Sequence, residues 1–105
     1  MKKIKLLACI LLLASCTTKI QDIKEKRSDY LGKKLKIEGT VNMTIPFTKI
    51  YEVKDETGTI YVETSSALPD KDQKFVIKGI VREKKIGFEG FNLVNELYIE
   101  ETSRD

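Results

Sequence analysis

Thiol, carboxylate, amine and aromatic groups are what this chain has for chemistry, because it contains no histidine. The side chain that titrates near neutral pH and most often ligates metals is therefore missing. The two cysteines are Cys9, inside an apolar run, and Cys16, just beyond it. Asp55 and Glu56 are adjacent carboxylates, but neighbours on a strand or turn point apart and do not form a general acid/base pair. A turn-shaping role for Asp55, accepting hydrogen bonds from nearby amides, fits that spacing better. No Gly-x-Ser-x-Gly elbow or phosphate-cradling loop occurs. The expectation is a non-catalytic protein with no cofactor and no metal site.

The setting of Cys16 is more informative than its thiol. Met1-Lys2-Lys3-Ile4-Lys5 is a basic start, and Leu6 to Ala14 is an apolar stretch. Together they have the layout of a secretory signal, and the stretch is too short for a spanning helix, which needs about 20 apolar residues. Leu13-Ala14-Ser15-Cys16 resembles the lipobox of bacterial lipoproteins. That resemblance implies a signal peptide over residues 1–15, cleavage before Cys16 and acylation of Cys16 with palmitate-like chains. It places the protein in the cell envelope, anchored to a membrane by lipid. Thr17 follows the cysteine, where Asp resembles an inner-membrane retention signal in enteric bacteria. The expectation is thus the outer membrane in a diderm organism and the cell membrane otherwise.

Cleavage would also change the charge. Three of the 19 basic residues precede Cys16 and all 16 acidic residues follow it, so the remainder carries 16 of each and the formal charge of +3 falls to zero. A basic character that leaves with a leader says nothing about nucleic acid.

The elements that must position any site are mostly strands. Residues 16–29 are polar and read as an acylated tether, although Ile20, Ile23 and Tyr30 would also suit a short helix packed on the domain. Leu35, Ile37, Gly39 and Val41 recur with period two, as do Tyr51 and Val53, Ile60 and Val62, Phe75, Ile77, Gly79 and Val81, and Leu97 and Ile99. Each set marks one inward face of a strand. Asn42 to Thr48, with Pro46, reads as a loop, and Glu56-Thr57-Gly58 as a hairpin turn in which Gly58 takes a positive φ. Thr64 to Asp72 has room for one helical turn, Glu83 to Asn92 reads as a loop, and residues 102–105 as a tail. The compact domain is expected over residues 30–101.

Three segments carry a family resemblance: Gly32-Lys33-Lys34-Leu35-Lys36-Ile37-Glu38-Gly39-Thr40-Val41, then Tyr51 to Val62, then Phe75 to Val81. Their order resembles that of OB-fold domains, in flavour the tRNA-anticodon-binding kind and small exported bacterial OB proteins. The implied class is all-β, a five-stranded Greek-key OB-fold barrel; an SH3-like barrel is the structural alternative. Haem-handling exported OB proteins attach haem through histidine, which this chain lacks.

OB barrels bind across strands two and three, between the loops joining strands one to two and four to five. Mapped here, the candidate face holds Ile50, Glu52, Lys54, Thr59, Tyr61 and Glu63, flanked by Met43, Phe47 and Lys49 and by Lys84, Lys85, Phe88 and Phe91. Tyr61, Phe88 and Phe91 can stack on bases while Lys49, Lys54, Arg82, Lys84 and Lys85 meet phosphates. Glu52 and Glu63 oppose that use, and alternating Lys and Glu also suit a solvated face that resists edge pairing. Phe88 and Phe91, beside Gly87 and Gly90, read either as a plug of the barrel end or as a partner contact. The resulting expectation is a membrane-anchored module that binds an envelope protein or other extracytoplasmic ligand. The alternative is single-stranded nucleic acid or oligosaccharide on the strand two and three face.

Overall fold

The computed structural model describes residues 17–86 and 94–105. Among them the chain forms two short helices, α1 (Ile20–Glu25) and α2 (Arg27–Tyr30), and five strands. These are β1 (Lys34–Thr44), β2 (Ile50–Asp55), β3 (Gly58–Glu63), β4 (Lys74–Ile86) and β5 (Val94–Arg104). The strands close into a barrel in the order β1-β2-β3-β5-β4. The β3–β5 pair is parallel and its neighbours are antiparallel. The protein is therefore all-β, with the strand order of an OB-like Greek-key barrel.

The period-two sets all face inward. Ile37, Val41, Tyr51, Val53, Ile60, Val62, Phe75, Ile77, Val81, Leu97 and Ile99 are buried, and Leu35 packs against them. Two extra residues, each opposite a closely spaced pair, curl the sheet. Asn42 is unpaired between Val41↔Val53 and Met43↔Glu52, and Thr102 between Lys78↔Ser103 and Gly79↔Glu101. Such bulges bend a strand and sharpen its twist. Gly79 is what lets β4 approach at the second bulge. A Cβ there would lie 2.4 Å from Ile99 Cγ2 and 2.5 Å from the Glu100 carbonyl oxygen.

Several boundaries differ from the sequence reading. Residues 17–29 do not form a solvated tether over the described part. Thr18 N–H donates to the Lys36 carbonyl at 2.8 Å, and Ile20 and Ile23 are fully buried in the core. Two isoleucines placed one turn apart suffice to seat α1, since burying each contributes about 1.5–3 kcal/mol. Residues 102–105 are not a tail: β5 runs to Arg104, and Val76 and Asp105 exchange backbone hydrogen bonds at 2.9 and 3.1 Å. β1 continues through Asn42 to Thr44, and the β4–β5 ladder continues to Ile86↔Val94. The segment from Thr64 to Asp72 contains no helical turn. Gly58 does not adopt a positive φ; among the described residues Gly32 (φ 82), Phe47 (φ 65) and Asp72 (φ 71) do.

Asp55 takes over the task expected of Gly58. Its carboxylate accepts from the N–H groups of Thr57 (2.7 Å) and Gly58 (3.1 Å), which shapes the turn, and from Ile20 N–H (2.9 Å), which caps α1. Thr57 Oγ1 accepts the next helical N–H, from Gln21 (3.0 Å). The first orphan amides of α1 are thus satisfied by another part of the chain rather than by its own N-cap residue, Lys19. Lys19 instead pairs with Glu56.

Candidate functional site

The outer face of β2 and β3 carries Ile50, Glu52 and Lys54 beside Glu63, Tyr61 and Thr59, paired in that order. Strand alternation puts all six outside because Tyr51, Val53, Ile60 and Val62 are held in the core. Only part of that face is concave. A cleft of about 460 Å³ is lined by Ile45, Ile50, Tyr61, Glu63, Lys84, Glu96 and Tyr98, with Val62 beneath. It lies between the β1–β2 loop, which supplies Ile45, and the β4–β5 hairpin, which supplies Lys84 and Glu96. Its size is in the range of sites that take a small ligand or a few side chains.

Tyr61 of β3 and Tyr98 of β5 are partners in the parallel ladder, so their rings share the outer surface and form the floor. The Lys84 ammonium sits 3.1 Å from Glu63 Oε2 and 5.0 Å from the centre of the Tyr98 ring. Its hydrogen bond to Glu63 raises the Lys84 pKa above the usual lysine value, so the ammonium is firmly charged. Glu96 faces Lys84 across the β4–β5 ladder, and its carboxylate has no hydrogen-bonding or ionic partner among the described residues. The cleft therefore presents an apolar, aromatic floor with two carboxylates and one already engaged ammonium.

Of the residues expected at the site, Ile50, Tyr61, Glu63 and Lys84 come together. Glu52 does not line the cleft; its Oε1 accepts from Asn42 Nδ2 at 2.6 Å, across the first bulge. Lys54 lies further along β2, at a separate hollow with Glu38, Thr40 and Lys74. The Lys85 backbone pairs with Asn95 in the β4–β5 ladder, but its side chain lies outside the described residues, as do Cys16, Phe88 and Phe91. Ile45, Glu96 and Tyr98 escaped the sequence reading. Alternation around Leu97 and Ile99 already sends Glu96 and Tyr98 outward, but only the parallel β3–β5 pairing sets Tyr98 beside Tyr61.

Phe47 crowns the β1–β2 loop with its ring wholly exposed. Its positive φ of 65 is uncommon for a bulky residue and costs on the order of 1 kcal/mol. Its neighbours Ile45 and Ile50 are part of the cleft wall.

A second polar cluster is buried and structural. Glu101 follows Leu97 and Ile99 on the inward face of β5, and its side chain is nearly inaccessible. Its carboxylate accepts hydrogen bonds from the Tyr51 hydroxyl and from Thr64 Oγ1 (2.6 Å). Arg104 stands 3.6 Å from it, over the Tyr51 and Phe75 rings, and donates to the Ala67 carbonyl. Burial and the bond to Glu101 push the Tyr51 hydroxyl pKa well up, so it stays a donor. The cluster ties the β3–β4 segment to the end of β5.

Among the described residues no group of Cys, Asp and Glu is arranged to hold a metal ion, and no helix is long and apolar enough to cross a membrane. No protein-family model matches the chain, and no curated protein matches its sequence.

Proposed function

We propose that this chain is a lipid-anchored, non-catalytic module of the cell envelope that binds an envelope protein through the cleft between the β1–β2 loop and the β4–β5 hairpin. The observation that carries this reading is the composition of that cleft. Ile45, Ile50, Tyr61 and Tyr98 offer the apolar and aromatic anchoring surface on which protein contacts concentrate. Exposed Phe47 extends that surface along the loop. The lipobox-like Leu13-Ala14-Ser15-Cys16 supports the anchor and the extracytoplasmic location.

The charges favour protein over nucleic acid. A single-strand binding groove needs free cations along its length. Here Lys84 is engaged by Glu63, and Glu63 and Glu96 would repel phosphate. The adjoining Tyr61 and Tyr98 rings favour one second reading, an oligosaccharide stacked across them.

A photo-crosslinking residue at position 96 in intact cells tests the proposal. Capture of a discrete envelope protein from position 96, and not from Lys71 in the β3–β4 segment, is the expected result. The capture should vanish in an Ile50→Glu background. Equal capture from both positions would sink the cleft as a protein site. Quenching of tyrosine fluorescence by cell-wall oligosaccharides, lost in Tyr98→Ala, would instead favour the glycan reading.

A further inference from the structure

Residues 17–36 carry seven basic and three acidic side chains, a net charge of +4, whereas residues 37–105 carry nine and 13, a net charge of −4. The neutral total thus hides a polar distribution of charge along the chain. Lys19 and Arg27 are paired with Glu56 and Glu83. Lys24, Lys26, Lys33, Lys34 and Lys36 have no ionic partner among the described residues. Asp22, Glu25 and Asp29 lie in the same segment and leave it an excess of cations. Leu31, an exposed large apolar side chain, sits between Arg27 and Lys33.

This segment is also where the chain meets its expected anchor. Thr18 is already bonded to Lys36 of β1, two residues after Cys16, and two residues span at most about 7 Å. A lipid on Cys16 therefore leaves the barrel almost no tether. From Lys36 to Thr44 the curled and bulged β1 spans at most about 26 Å. The Ile45 wall of the cleft lies beyond its far end, whereas the Lys84 wall follows Glu83, which pairs with Arg27.

We propose that the Lys24–Lys36 segment is a membrane-contact surface that rests on anionic phospholipid headgroups, with Leu31 entering the interface. The direction of this surface rests on the lipid-anchor reading of Cys16; its chemistry does not. Cationic residues next to a bilayer of negative surface potential supply the second signal that makes a lipid anchor firm.

The test uses the unacylated chain from Thr17 to Asp105, which contains the five described strands and the described core residues from Ile20 to Ile99. It should partition into vesicles of mixed phosphatidylglycerol and phosphatidylcholine at low ionic strength, and not into phosphatidylcholine alone. The partition should disappear at about 1 M salt, where the screening length is about 3 Å. Replacing Lys24, Lys33 and Lys34 together by Gln should lower it about 100-fold, at roughly fivefold per lysine. Replacing Lys49, Lys71 and Lys74 by Gln should leave it unchanged. No partition into anionic vesicles, equal partition into neutral ones, or an equal loss with both triple variants would overturn the surface. Palmitate labelling of the full chain, with and without Cys16→Ser, reads the anchor separately. Unlabelled Cys16 with intact partition removes the anchor reading and keeps the surface; labelled Cys16 without partition does the reverse.

Discussion

The α1 end of the barrel and the cleft face treat exposed apolar edges in opposite ways. At the first, Ile20 and Ile23 plug the barrel, and the β2–β3 turn satisfies the helix amides through Asp55 and Thr57. At the second, Ile45, Ile50, Tyr61 and Tyr98 remain partly open, and Phe47 is fully so, with no described element laid over them. The cleft residues stay partly open and bury less than the plug isoleucines. On the function proposed above, the difference separates residues that hold the fold from residues that meet a partner.

Truncating the plug tests the stabilising side most severely. Ile23→Ala should destabilise by about 3 kcal/mol, which lowers the thermal midpoint by roughly 15 °C in a domain of this size. A loss under about 1 kcal/mol in denaturant titration would mean that α1 is an accessory rather than part of the core.

The cap comes next. Asp55→Ala removes the acceptor of three backbone amides and should cost about 2 kcal/mol. The pH dependence has a defined sign. Burial alone would raise the Asp55 pKa, but hydrogen bonds from the Thr57 hydroxyl and from the amides of Ile20, Thr57 and Gly58 outweigh it and hold the pKa below the usual value. A carboxyl that is more acidic in the folded state stabilises above its unfolded pKa and loses that contribution as pH falls through the folded one. The difference in stability between wild type and Asp55→Ala should therefore be full at neutral pH and shrink below about pH 4. A difference that stays constant down to acid unfolding would refute the cap.

On the cleft face the balance should invert. Tyr98→Ala should shift stability by about 1 kcal/mol, because the ring is only partly buried, yet reduce partner capture by roughly tenfold or more, as loss of an aromatic anchor does. Phe47→Gly should have the smallest structural effect. It relieves the left-handed strain of a bulky residue and changes stability by under about 1 kcal/mol in either direction. If it leaves capture by the cleft unaltered as well, the loop tip is outside the binding surface.

Period-two alternation is a local property, and the inward residues from Leu35 to Ile99 were legible from it without error among those named. The same alternation put Ile50 and Tyr61 outside. What failed were the places where a distant partner changes the outcome. Ile20 and Ile23 in a polar stretch suit either a tether or a packed helix; the helix wins because an open barrel end needs filling and a remote turn supplies the cap. Gly58 looked like the residue of the turn, yet Asp55, hydrogen-bonded to three amides, makes a left-handed glycine unnecessary. Glu101 continues the inward alternation of Leu97 and Ile99, and its carboxylate is satisfied there because the fold brings the Tyr51 and Thr64 hydroxyls and Arg104 to it.

The order of residue types thus settled where the five strands lie, though not where they end, which faces they bury and that the chain lacks histidine chemistry, since each of these needs only neighbours in sequence. Barrel closure decided the rest. The parallel pairing of β3 with β5 joins residues 37 positions apart, Tyr61 and Tyr98, and creates the cleft floor. The docking of α1 joins Ile20 to Asp55. Contacts of that range depend on chain topology and on the volume left to fill, and no local pattern encodes either.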